Sequence, residues 1–210
     1  MKKQKISIIY GGNPEGKCRR VYESILNKLK DEDLSIIDLT KSTANFELPK
    51  GYKSERDEKV IEYSRILKES DLLIFVYPLQ WFNVPMKLKG FIDSSLWPKE
   101  AFSFKDKAYF RNGYFRGKKS IVVYTQGGGE WLHMLYMRSG LMAVKYPLKM
   151  SGVDKVYCYH IDNLNRSGFK EEDFEKKVSE LSEKVYKEHI KSVVDNRLNP
   201  KDNLRTIVKG

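Results

Sequence analysis

Three short stretches carry the residue types that could do chemistry. The first is Gly11-Gly12-Asn13-Pro14-Glu15-Gly16-Lys17-Cys18-Arg19-Arg20, which closes an apolar run and opens a helical pattern. Glycines let the backbone approach a ligand closely, and a helix start offers free amides and a positive dipole end to an anion. Lys17, Arg19 and Arg20 add positive charge. The spacing is not that of a nucleotide-triphosphate loop, because Cys18 follows Lys17, and GxGxxG is absent. A plain glycine turn before a helix is the other reading. A thiol at a helix start has a lowered pKa, so Cys18 is a candidate thiolate, although no base is paired with it.

The second stretch runs from Tyr77 through Pro78, Leu79, Gln80, Trp81 and Phe82 to Pro85. It follows the apolar run 72–77. Planar apolar side chains at the carboxyl end of a strand suit a flat aromatic ligand, and open parallel sheets bind ligands there. An aromatic core or dimer contact is the alternative. The third stretch is Tyr124-Thr125-Gln126-Gly127-Gly128-Gly129-Glu130-Trp131-Leu132-His133. Its glycines expose amides that can hydrogen-bond the carbonyls of a bound ring, or form a flexible turn. His133 is the best-placed ionisable group and the candidate catalytic residue, against the commoner reading of a packed or surface histidine.

Other chemistry finds little support. No pair of histidines sits at metal spacing, CxxC is absent, and so is the GxSxG nucleophile elbow, so no metal is expected. The net charge is +11, from 39 Lys and Arg against 28 Asp and Glu. These charges are dispersed over 16–20, 115–119 and 170–191, and the last group is interleaved with glutamates. That pattern describes a solvated basic surface rather than a specific nucleic-acid face. Cys18 and Cys158 are the only cysteines, which fits free thiols in a reducing cytosol. No apolar run approaches ~20 residues, so no membrane span is expected.

The elements that position these stretches follow from periodicity. Strands are expected at 5–10, 34–39, 71–77, 119–125 and 153–160. Helices are expected at 19–30, 55–69, 85–96, 131–144 and 171–197, with irregular aromatic chain at 97–118. Such alternation implies parallel strands joined by right-handed crossovers. The expectation is one α/β domain over 1–197 and a basic tail at 198–210. Its sheet is flavodoxin-like and doubly wound, with five parallel strands ordered 2-1-3-4-5 and helices on both faces. In that order the loops after strands one, three and four share one edge.

The run Tyr77-Pro78-Leu79-Gln80-Trp81-Phe82-Asn83-Val84-Pro85, continuing Leu88-Lys89-Gly90-Phe91-Ile92-Asp93, resembles the flavodoxin-fold NAD(P)H:quinone oxidoreductases, the family of quinone reductase and modulator of drug activity B. FMN-dependent azoreductases are close relatives. Ala101-Phe102-Ser103-Phe104 and Gly117-Lys118-Lys119 fit the same pattern, and the similarity covers roughly residues 5 to 160. The resemblance implies a flavin, FAD or FMN, with its ring over Pro78, Leu79, Gln80, Trp81 and Phe82 and near Thr125, Gln126, Gly127 and Gly128. Its phosphate would sit at Lys17, Cys18 and Arg19. NAD(P)H would be the hydride donor, in ping-pong turnover with a quinone or similar small acceptor, at the interface of a homodimer. A nonenzymatic regulatory or electron-transfer module of the same fold is the alternative. The chain departs from the family at Lys17 and Arg19, where serine or threonine and asparagine are usual. It departs again at His133, near the place of a tyrosine, so His133 is the expected proton or hydrogen-bond donor to the reduced acceptor.

Overall fold

The computed structural model describes residues 3–198, with side chains described as far as Asp195. Apart from Leu198, the expected tail at 198–210 lies outside the described residues.

Among the described residues five parallel strands form one sheet: β1 (Lys5–Tyr10), β2 (Asp33–Asp38), β3 (Leu72–Pro78), β4 (Lys119–Thr125) and β5 (Lys155–Ile161). Their order is β2-β1-β3-β4-β5, as expected. The register aligns Ile8 with Ile74, and Ile74 with Ile121. In β3 and β4 nearly every residue is buried, because a central parallel strand is covered on both faces and needs apolar side chains on each. The edge strands β2 and β5 keep Asp33, Ile36, Lys155 and His160 exposed.

Among the described residues six α-helices cover the sheet: α1 (Lys17–Lys28), α2 (Glu58–Glu69), α3 (Met86–Ser95), α4 (Glu130–Leu135), α5 (Ser139–Met150) and α6 (Glu171–Leu198). On one face Leu67, Leu88, Phe91, Leu141 and Leu148 from α2, α3 and α5 pack on Ile9, Phe75 and Val122. On the other, Val21 and Ile25 of α1 and Phe174, Val178 and Val185 of α6 pack on Ile8, Ile74 and Ile121. Burial of such side chains at about 25 cal/mol per Å² is the main favourable term holding the layers together.

Two helical expectations need correction. The second helix starts three residues later than periodicity suggests, because the Asp57 carboxylate accepts from the Lys59 amide at 2.8 Å and caps it there. The helix expected over 131–144 is two helices. Met137 and Arg138 adopt φ of 54° and 52°. The Arg138 amide donates to His133 O at 2.8 Å and the Met137 amide to Met134 O at 3.0 Å. That pair of bonds is a Schellman stop, which usually carries glycine at the left-handed position. Here methionine occupies it, so the sequence lacks the usual signal.

Candidate active site

The loops after β1, β3 and β4 meet at the carboxyl edge of the sheet. Gly11 N donates to Val76 O at 2.9 Å, and Leu79 N donates to Thr125 O at 2.7 Å. The Cys18 thiol lies against the hydroxyls of Tyr10 and Thr125. All three stretches therefore belong to one surface.

The first loop ends in an uncapped helix. Gly16, at φ 100°, precedes α1 with no capping side chain, and no acidic residue occupies the first turn. The first intrahelical bond runs from Arg20 N to Gly16 O, and the amides of Lys17, Cys18 and Arg19 find no acceptor among the described residues. Free amides at a positive dipole end form an anion site. The Lys17 ammonium donates to Leu164 O at 3.0 Å and lies 4.4 Å from the Phe169 ring centre, with no carboxylate partner among the described residues. The other two side chains turn away. The Arg19 guanidinium bonds Asp38 at 2.7 Å and Glu23 at 2.8 Å and packs over Tyr22, so its charge is already neutralised. Cys18 is not the expected low-pKa thiol. Its side chain enters the core, and burial outweighs the helix end and pushes the thiol up to about 12.

The second loop is a two-residue hairpin. Gln80 N donates to Asn83 O at 2.8 Å, and Asn83 N to Gln80 O at 2.9 Å. Trp81 and Phe82 between them have φ of 49° and 61°. Two successive left-handed residues make a type I′ turn, which favours Asn-Gly, so bulky aromatics here carry strain. The turn holds the Trp81 side chain 96% exposed. Pro78, Leu79 and Phe82 are half-buried beneath it.

The third loop presents Gly127 and Gly128 with amides that find no acceptor among the described residues. Their carbonyls are taken by the chain after β5: Asn165 N bonds Gly127 O at 3.0 Å and Asn163 N bonds Gly128 O at 2.9 Å. Thr125 and Gln126 are buried.

Beneath this loop lies a group the sequence reading missed. The Glu130 carboxylate accepts from Tyr124 OH at 3.0 Å, Gln126 Nε2 at 2.9 Å and Arg138 Nε at 3.0 Å. His160 Nε2 stands 4.0 Å away, and the Glu130 amide bonds Asp162 at 3.0 Å. Burial and the neighbouring carboxylate hold the Tyr124 hydroxyl well above the usual phenol range. Glu130 lies four residues after Gln126, in the first turn of a helix after a glycine run, which was the available signal.

His133 is fully buried rather than open to the site edge. Its Nδ1 is 3.5 Å from Glu130 Oε2 but off hydrogen-bond geometry, so neither ring nitrogen has a hydrogen-bond partner. Burial lowers its pKa below the ordinary value near 6.5, against the raising effect of Glu130. As pH falls through 6.5 the unfolded chain takes up a proton that the folded protein refuses, so stability present above 6.5 is lost on acidification. Replacing His133 by Leu should flatten the fall of the thermal midpoint between pH 8 and pH 5. A slope equal to that of the wild type would show that His133 is not its source.

A profile of the flavodoxin-like fold family matches residues 4–185. NAD(P)H dehydrogenase [quinone] 1 from Cavia porcellus is 34% identical over 100 residues, covering 45% of this chain and 36% of that protein. The chain thus matches only about a third of the length of such relatives. The FMN-dependent NADH:quinone oxidoreductase of Pelagibacter ubique is 27% identical over 169 residues, 78% of this chain and 81% of that one. An FMN-dependent NADH-azoreductase from Bacillus anthracis, solved in complex with FMN, superposes with a TM-score of 0.70 at 15% identity, over 88% of this chain and 98% of its own. A match along nearly the whole described chain agrees with a sheet whose strand order was already evident, and the chain belongs to the flavodoxin-like fold family.

Proposed function

We propose that the protein is a flavin-dependent NAD(P)H oxidoreductase that uses FMN and reduces quinones or similar flat acceptors. One observation carries the reading: a single sheet edge holds an uncapped helix start, a displayed aromatic turn and a pair of free glycine amides. The residues fit the group. The α1 amides and the uncompensated Lys17 suit one phosphate, which favours the mononucleotide. Trp81, Phe82 and Pro78 offer a planar apolar surface to its ring, and the amides of Gly127 and Gly128 offer donors to its carbonyls. Names of relatives support the same reading, including FMN-dependent NADH:quinone oxidoreductase.

When bound, FMN would supply hydride-transfer chemistry between a nicotinamide and the acceptor. The chain's own work is to bind, orient and exclude water. Trp81 and Phe82 would hold the ring, and donor and acceptor would use one place in turn, the basis of ping-pong exchange. Glu130 orients Tyr124 and Gln126 under the third loop. His133 is proposed as the proton or hydrogen-bond donor to the reduced acceptor, a role that requires its buried ring to reach the site edge. Unchanged oxidative half-reaction rates on His133→Gln in stopped flow would remove that role. Exposed large apolar side chains, among them Trp131, Leu135, Met137, Phe104 and Met86 at 63–85% exposure, support a homodimer. Two free cysteines support a reducing cytosol.

The test is direct. Purified protein given FMN should retain it and turn yellow, and NADH or NADPH should bleach it anaerobically. A colourless protein with no FMN affinity would overturn the reading.

A further inference from the structure

Something must hold Trp81 and Phe82 in a conformation that aromatic residues avoid. The segment after α4 does so from three directions. Ser139 Oγ donates to Phe82 O at 2.6 Å, and Gly140 N donates to the same oxygen at 2.8 Å. The Tyr136 ring lies flat on Phe82, with centroids 4.3 Å apart and planes 13° apart. Gly140 is itself fitted tightly: a Cβ there would meet Leu79 Cδ2 at 2.4 Å and Phe82 O at 2.9 Å. Its carbonyl accepts from Tyr77 OH at 3.0 Å, which fixes the segment to β3.

The other end of this segment is tied to the third loop. Arg138 donates to Glu130, and Glu130 is held by Tyr124, Gln126 and the Asp162 carboxylate. Met137 and Arg138 are themselves left-handed, so two adjoining turns of unfavourable backbone brace one another. Two hydrogen bonds and a ring stack are of the size needed to offset two left-handed residues. Both carbonyl contacts fall on Phe82, the second of the strained residues.

We infer that Tyr136–Gly140 is a positioning clamp that fixes the Trp81-Phe82 turn in its ring-presenting conformation, with Glu130 tying the clamp to the third loop. None of the clamp residues needs to touch a ligand. They act through Phe82, and the inference rests on the flavin reading only for the identity of the ring. Loss of the clamp lets the turn relax and the aromatic wall disperse before any ligand arrives.

The experiment uses the intact protein carrying 5-fluorotryptophan. Its three tryptophans give separable fluorine resonances, and Trp81→Phe assigns one of them. Ser139→Ala and Gly140→Ala should each shift or broaden the Trp81 resonance in the absence of ligand and weaken FMN binding roughly tenfold, the scale of one lost hydrogen bond. Tyr136→Ala should do the same, and Tyr136→Phe should restore both readouts, since the ring rather than the hydroxyl stacks. Thermal melts identify any variant that fails to fold, and Ser139→Ala removes least. A Trp81 resonance unchanged in both Ser139→Ala and Tyr136→Ala would overturn the clamp. If the wild type binds no FMN, the flavin reading falls, while the resonance still decides the clamp.

Discussion

Asn-Gly in place of Trp81-Phe82 should stabilise the fold by about 1–2 kcal/mol while lowering flavin affinity at least about 100-fold. The stability half follows from backbone geometry. Both residues sit in the left-handed region, which costs an ordinary L-residue roughly 1–2 kcal/mol each. Asn-Gly is the pair this turn favours, so most of that cost is removed. Against it stands the lost Phe82–Tyr136 stack, worth about 0.5–1.5 kcal/mol. Trp81 is almost wholly exposed, so its removal sacrifices little packing. For a chain of this size each kcal/mol moves the thermal midpoint by about 2–4 °C. The binding half follows from stacking, which contributes about 1–3 kcal/mol per aromatic contact with a flat ring. Urea unfolding and FMN titration read the two halves separately. A less stable variant would show that the turn carries no net strain, and retained affinity would show that the ring binds elsewhere. A gain in stability with a loss of ligand is the signature of strain kept at a functional site.

Gly113→Ala should destabilise the protein by about 3 kcal/mol, a large share of the 5–15 kcal/mol of a typical domain. The reason is space rather than backbone freedom. Gly113 has φ −62° and ψ 160°, which any residue can adopt. A Cβ there would lie 2.2 Å from Ser151 O and 2.6 Å from Gly152 N, and both are main-chain atoms that cannot rotate aside. Ser151 O also accepts from Phe115 N at 2.8 Å, so it is pinned in place. Gly152 faces the same contact from the other side, with Gly113 O at 2.7 Å from its own Cβ position. This backbone-to-backbone junction fastens the irregular chain at 97–118 to the end of α5. It thereby seats Ala101, Phe102 and Phe115 in the core. Denaturant midpoints measure the loss. A variant as stable as the wild type would mean that the segment lifts away at little cost.

One part of this molecule is legible in its residues and another is not. The sheet was legible. A strand covered on both faces must be apolar throughout, so Leu72 to Tyr77 and Ile121 to Tyr124 announce themselves, and their alternation with amphipathic segments leaves few topologies. The meeting of the three loops follows from that order alone. Helix boundaries were less legible where a side chain decided them, as Asp57 does at the start of α2. The break at Met137 was invisible, because a left-handed residue there is imposed by its surroundings and not by its type.

Within the site the division is the same. Residue types and spacing alone determined that glycines and aromatics would share an edge, because strand order is dictated by which segments can be buried. The tertiary structure alone decided what each side chain is free to do. It buried Cys18 and His133, which made one thiol inert and one imidazole neutral. It spent Arg19 on Asp38 and left Lys17 uncompensated. It recruited Glu130, Tyr136 and Ser139, residues unremarkable in the sequence, to hold a turn their neighbours would otherwise abandon. Burial patterns are written residue by residue along a chain. Charge compensation, desolvation and strain depend on which atoms from distant segments come within a few ångströms, and only the folded arrangement sets those distances.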